Sequence, residues 1–305
     1  SPEAAFSKGS ITMQKKKKSK RLGYLMLLPA LAVILLIQIY PFLDGFKLSF
    51  TNSNLLSPGK EKFIGLQNYI DILTKDKEFY SSLAFSFIYA ISIVIFSYIL
   101  GMLIAALLNM NMKGRGIYRA VILMPWVIAP MVMAANWLWL LNDQFGLINH
   151  VLMELKIIEK PILFLTTRYM SRFTVTMIGV WKNLPFMTIT LLAGMQGIPG
   201  ELYEAARIDG GGKIKSFLYI TLPSLRSVSK VSVTLLLIWA FNGFENIFLL
   251  TEGGPSGNTM VLPIYAYNTA FFRSKMGYAS AASVLMLLCM IILCLINQKF
   301  SRDNE

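Results

Sequence analysis

Six stretches of about twenty residues or more run through this chain with no more than one charge each, and this restricts it to a membrane. A helix crossing the hydrocarbon core needs about 20 apolar residues, and its backbone polar groups must find partners within the segment. Residues 22–43, 83–108, 120–142 and 276–298 carry no charge at all. Residues 173–195 are interrupted only by Lys182, and residues 231–250 only by Glu245. The predicted fold class is an all-α membrane protein of about six transmembrane helices. Composition agrees: 55% of the 305 residues are hydrophobic and 15% charged, against roughly 25% charged in soluble domains. The run at 22–43 is too long for the core of a cleaved signal peptide and is read as a retained span. A seventh uncharged stretch, 253–272, opens on Gly253-Gly254-Pro255-Ser256-Gly257 and contains Pro263. Such a backbone cannot satisfy itself in lipid, so an interfacial or re-entrant segment is expected there.

The charges that remain give a direction. Segments on the side of the N-terminus hold 17 Lys and Arg against 6 acids, and the opposite loops hold 11 against 9. Basic residues gather on the cytoplasmic side of a membrane, so both termini are expected in the cytoplasm. The organisation read from this is a basic cytoplasmic tail at 1–21, a transmembrane domain at 22–298 with a cytoplasmic loop at 198–227, and a cytoplasmic tail at 299–305. Residues 1–12 precede Met13 and are set aside as an added segment or an alternative start. The net charge of +13 argues for anionic lipid rather than nucleic acid, because much of it sits in Lys15 to Lys18, Lys20 and Arg21 directly before the first span. Cys289 and Cys294, five apart on one helix, point in different directions; no disulfide and no metal site is expected. His150, the single histidine, falls in an external loop with no catalytic or metal-binding company.

The loop at 198–227 is the most informative segment. Pro199 suits a helix start, Glu201 and Glu204 favour a first turn, and Gly210, Gly211 and Gly212 end it. Apolar residues then recur at Ile214, Phe217 and Leu218, and the second helix is expected to close at Pro223. Within this pair, Glu204, Ala205, Ala206, Asp209, Gly210, Phe217, Ile220, Leu222 and Pro223 stand at the spacing of a known signature. The segment resembles the "EAA" loop of ABC-importer permeases, in the form found in the carbohydrate-uptake family of maltose-F type. Departures are Gly211, where that family usually has alanine, and Arg226, where it has a second proline. The resemblance continues through Tyr40-Pro41-Phe42, Phe63-Ile64-Gly65-Leu66-Gln67-Asn68-Tyr69, Leu123-Met124-Pro125-Trp126 and Thr251-Glu252-Gly253-Gly254-Pro255.

The resemblance implies a type I ABC importer permease fold in the bacterial cell membrane. It implies four kinds of partner: a second permease subunit of maltose-G type, two ATP-binding subunits, an extracellular or periplasmic solute-binding protein, and a carbohydrate. ATP and Mg would sit on the ATPase chains, since no Gly-x-x-x-x-Gly-Lys-Ser/Thr loop occurs here. Glu204, Ala205, Ala206, Asp209, Gly210 and Gly211 would form the coupling element that docks on the ATPase. Glu204 would pair with a basic residue there, and Asp209 would cap or brace the turn.

Polar groups inside spans are costly and mark candidate pathway residues. Trp181-Lys182-Asn183-Leu184-Pro185-Phe186 and Phe241-Asn242-Gly243-Phe244-Glu245-Asn246 are two such clusters, in the regions where maltose-type permeases line their cavity. Asn183, Phe186, Asn242, Glu245 and Asn246 are the nominated lining residues. Against this stand interhelical hydrogen bonding by the asparagines and a Lys182–Glu245 pair. Trp126, Trp137 and Trp139 are expected as interfacial anchors or packing. A secondary transporter would show paired broken helices in two similar halves, and an intramembrane enzyme would cluster nucleophile, base or metal ligands; the sequence displays neither.

Overall fold

The computed structural model describes residues 26–110 and 113–302. The tail at 1–21, the start of the first span and the last three residues of the C-terminal tail lie outside the described residues. The described residues are mostly helical, with an isolated β-bridge between Thr51 and Phe63. In order come α1 (Met26–Leu48), α2 (Gln67–Lys75), α3 (Lys77–Asn109), α4 (Arg115–Val127), α5 (Pro130–Leu140), α6 (Leu147–Glu154) and α7 (Arg168–Gln196). Then follow α8 (Gly200–Ile208), α9 (213–224), α10 (Arg226–Phe241), α11 (Glu245–Thr251), α12 (Leu262–Tyr267) and α13 (Met276–Arg302). Five segments are long and apolar enough to cross a membrane: α1, α3, α7, α10 with α11, and α13. The pair α4 and α5 supplies a sixth if counted as one broken span.

Three elements differ from the sequence expectation. The span expected unbroken at 120–142 bends by 95° between α4 and α5. Ile128 and Ala129 are extended at ψ 129° and 136°, as the residue before Pro130 is pushed out of the helical region by the proline ring. The span expected at 231–250 breaks at 242–244. There the Gly243 N–H reaches Ala240 O at 3.1 Å, and a Cβ on Gly243 would sit 2.9 Å from that same oxygen. The helix expected to close at Pro223 runs on. A π turn at Phe217–Thr221 widens it one turn ahead of the proline, so the missing N–H and the ring fall where the spacing returns to α.

Small residues set the centre. α3 and α7 lie side by side and parallel, with Gly101 against Met187 and Thr188, and Gly179 against Tyr89 and Ile93. A Cβ on Gly179 would lie 2.8 Å from the Tyr89 hydroxyl, so glycine is what permits the approach. Gly194 receives Leu225 and Val228 as the chain returns in α10. Cross-links are Tyr98 Oη to Ser229 Oγ at 2.9 Å and Asn297 Nδ2 to Thr234 Oγ1 at 2.8 Å.

The two ends of this bundle are built differently. At the end where α3 and α13 begin, Asp76 accepts the Phe79 N–H at 2.8 Å and caps α3. Its second oxygen accepts the hydroxyls of Tyr265 at 2.5 Å and Tyr278 at 2.9 Å. Burial alone would raise the Asp76 carboxyl, but these donors outweigh it and hold the group below the usual carboxylate value. Burial, with Asp76 beside it, pushes the Tyr265 hydroxyl up. Arg273 donates to Glu78 at 2.7 Å, and that hydrogen bond raises the guanidinium further against the burial that would lower it. The stretch 253–272 folds back here through α12 and is not among the membrane-length helices. The loop at 198–227 occupies the opposite end, where α3 and α7 finish. α1 stands apart: none of its residues is buried, and its last turns meet α13 around Ala279 and Ser283.

Candidate functional site: a polar cavity and the loop joining its walls

A cavity of about 460 Å³ lies between α3, α7 and the α10–α11 break. It is lined by Tyr89, Ile93, Lys182, Asn183, Trp239, Ala240 and the run 242–246. Four of the five nominated residues, Asn183, Asn242, Glu245 and Asn246, therefore face one space. Phe186 does not line it; its ring packs on Trp239 at 4.8 Å and Trp126 at 6.4 Å, backing the wall from behind. Trp137 packs edge-on against Trp181 at 5.4 Å, so two of the three span-3 tryptophans serve packing.

The asparagines use their amide N–H groups locally. Asn183 Nδ2 donates to Gly179 O at 2.8 Å, and Asn242 Nδ2 to Ile238 O at 2.9 Å and Met290 Sδ at 3.1 Å. Asn246 Oδ1 is buried with no hydrogen-bond partner among the described residues. Lys182 and Glu245 line the same cavity without forming an ion pair; the ion pairs among the described residues are Lys75–Asp71, Arg273–Glu78 and the loose His150–Glu154 contact at 4.0 Å. Sequence reasoning missed Tyr89, which is 1% exposed, and Trp239. Both sit in uniformly apolar runs, and only the glycines at 179 and 243 that make room for the Tyr89 ring hint at it.

The 198–227 loop joins the two cavity walls. α7 carries Lys182 and Asn183 and ends at Gln196; α8 follows, then α9, then α10, which carries Trp239. α8 ends in a left-handed Gly210 at φ +75°. The Gly211 N–H reaches Ala206 O at 2.7 Å and the Gly210 N–H reaches Arg207 O at 3.2 Å, the double bond of a Schellman cap. A Cβ on Gly211 would fall 2.7 Å from Ala206 O, which suits glycine here. Asp209 makes no side-chain hydrogen bond among the described residues. The brace is Tyr203, whose hydroxyl meets Thr221 Oγ1 at 2.9 Å and ties α8 to α9. Glu204 and Ala205 are exposed, Ala206 is half-buried, and Glu204 forms no ion pair among the described residues. Ile208 is 87% exposed and Ile214 76%, a surplus of bare apolar surface on a polar knob.

A bundle of broken spans around a polar cavity, with an exposed helical knob on one end, is the architecture of a membrane translocation subunit. The chain belongs to the family of binding-protein-dependent transport system inner membrane components, which matches residues 97–303. It is thus a multi-pass permease component of the cytoplasmic membrane, working with a binding protein and ATPase partners, and not itself a catalytic enzyme. The trehalose/maltose transport system permease protein MalF of Thermococcus litoralis is 36% identical over 296 residues, covering 96% of this chain and 98% of its own. The diacetylchitobiose uptake system permease protein DasB of Streptomyces coelicolor is 32% identical over 272 residues, covering 88% and 83%. In fold, the chain matches the crystal structure of a bacterial ABC transporter involved in the import of the acidic polysaccharide alginate. The TM-score is 0.83 at 23% identity, over 95% of this chain and 98% of that one.

Proposed function

We propose that this chain is one of two permease subunits of a carbohydrate importer, and that the 198–227 loop is its coupling element. The observation that carries the proposal is connectivity: a single exposed knob joins the two helices that wall the polar cavity. A push on α8 is passed by the Tyr203–Thr221 bond to α9, which continues into α10. α10 is 16 residues, about 24 Å, and ends at the cavity break. Closure of an ATPase dimer beneath the knob thereby tilts α10 against α7 and opens or shuts the space between them. ATP and Mg stay on the two ATPase chains.

Further support comes from what this chain leaves uncovered. Asn242 and Glu245 are exposed, so the cavity lacks a wall, and α1 has no buried residue; a second permease subunit supplies both. The charge bias of the loops supports a cytoplasmic placement of both termini and the knob, with the Asp76 corner on the outer face that the binding protein would meet. The relatives named for trehalose, maltose and diacetylchitobiose support a saccharide as the cargo. Aromatic faces at Trp239 and Phe244 beside amide and carboxylate groups suit a sugar, which presents both apolar C–H faces and hydroxyls.

The test is Glu204→Ala in the complete importer, reconstituted with ATPase, second permease and binding protein. Saccharide uptake is expected to fall at least about tenfold, the loss of one charged contact at an interface, with the complex still assembled. Uptake equal to the parent protein would remove the knob from the mechanism.

A further inference from the structure

The cavity has an electrical property that its role as a pathway does not explain. Lys182 is the middle residue of α7, fourteen residues from either end and about 21 Å of helix from each. Glu245 faces it from the first turn of α11. Neither side chain makes a hydrogen bond or ion pair among the described residues, although ionisable groups at such depth are ordinarily paired. They lie in one cavity, open to one another through its space. As a unit they are neutral; each alone is not.

This constrains what the cavity can hold. A ligand of zero net charge leaves the loaded site neutral. An anionic ligand that engages Lys182 leaves Glu245 uncompensated beside it, and a cationic ligand does the reverse with Lys182. Either leaves one charge of the couple unmatched at the depth of a membrane span, where an unpaired charge is costly. Hydrogen-bonding capacity points the same way. Asn183 and Asn242 each spend one N–H on a backbone carbonyl, Gly179 O and Ile238 O, and offer their side-chain oxygens; the Asn246 oxygen is buried and unpartnered, and Glu245 offers two more acceptors. Lys182 is the charged donor set against them. Acceptors set beside amide, indole and ammonium donors suit hydroxyls, which both donate and accept, whereas a carboxylate only accepts.

We propose that Lys182 and Glu245 are a matched couple of charges that makes this cavity selective for uncharged, polyhydroxylated saccharides and against uronates and sugar phosphates. The inference rests on the reading of the cavity as the translocation pathway. It sets this chain apart from the alginate importer permease it resembles in fold.

Two measurements test it in the complete importer. In the first, the ligand carried by the cognate binding protein is identified by mass spectrometry, and an uncharged saccharide is expected. A uronate or phosphate-bearing ligand overturns the proposal while leaving the coupling loop untouched. In the second, uptake of that ligand is compared across Lys182→Met, Glu245→Gln, the double variant and the reversed pair Lys182→Glu/Glu245→Lys. Each single change is expected to cut uptake about tenfold or more by leaving one charge unmatched, and the double to recover to within about threefold of the parent. Losses that add, or a single variant with unchanged uptake, overturn it. If the single variants fail to assemble, assembly of the reversed pair supports the proposal and its failure overturns it. Glu204→Ala in the same assay separates the two readings, since normal uptake there removes the coupling loop and leaves the charge couple standing.

Discussion

The corner at Asp76 and the knob at Glu204 stand at opposite ends of one bundle and meet opposite demands. At the corner, a single carboxylate takes up a backbone N–H and two tyrosine hydroxyls from three separate segments of the chain. At the knob, the Glu204 carboxylate makes no hydrogen bond or ion pair among the described residues, and Ile208 and Ile214 lie bare around it. The first end is closed by its own residues; the second leaves Ile208 and Ile214 bare, the surface that the proposed coupling would cover. In the proposed mechanism the contrast assigns the anchor: helices held together at the Asp76 end would rock at the end that the ATPase is proposed to grip.

That contrast can be broken by substitution. The largest effect is expected from Asp76→Ala, which removes the α3 cap and strands two tyrosine hydroxyls. It should lower the stability of the isolated chain by about 3 kcal/mol, read as a drop in the melting temperature in detergent. If Asp76→Ala melts like the parent, the corner is not an anchor. The same carboxylate predicts a pH dependence. Its folded value lies below its unfolded one, so its stabilisation is complete above the ordinary carboxylate value near about 4 and fades as pH falls through the folded value. Asp76→Asn should flatten that acid limb of the melting curve.

Smaller effects are expected at the knob. Gly210→Ala places a Cβ at φ +75° and should cost about 1 kcal/mol locally, with uptake reduced more than melting. Tyr203→Phe removes the brace between α8 and α9 and should cost about 1 kcal/mol or less while weakening coupling. Glu204→Ala should change the melting of the isolated chain by less than about 0.5 kcal/mol, because an exposed carboxylate with no partner holds nothing in place. A large stability loss there would mean the knob is structural and would erase the contrast.

The sequence made the spans legible because lipid leaves little choice: charge-free runs of membrane length have to be helices. It made the knob legible because proline, glycine and charge punctuate it. It could not show the breaks well. Pro130 was visible at 120–142, but whether a proline kinks a helix or splits it at 95° depends on what packs around Ile128 and Ala129. Pro185 and Pro223 stand inside continuous helices, the latter because a π turn precedes it. The cavity was half legible. Polar residues in apolar runs announced Asn183, Asn242, Glu245 and Asn246, whereas Tyr89 and Trp239 looked like any other aromatic in lipid. Tyr203, the actual brace of the knob, was hidden behind Asp209, which had the better turn chemistry but uses none of it.

The most direct measurement is the accessibility of Ile208, 87% exposed at the tip of the knob. In a background with Cys289 and Cys294 replaced by serine, Ile208→Cys is treated with a membrane-impermeant thiol reagent in intact cells and in inverted vesicles. Labelling is expected in inverted vesicles alone, and is expected to vanish once the ATPase subunits are bound. Labelling of intact cells, or labelling that the bound ATPase leaves unchanged, would contradict a knob gripped from the cytosol.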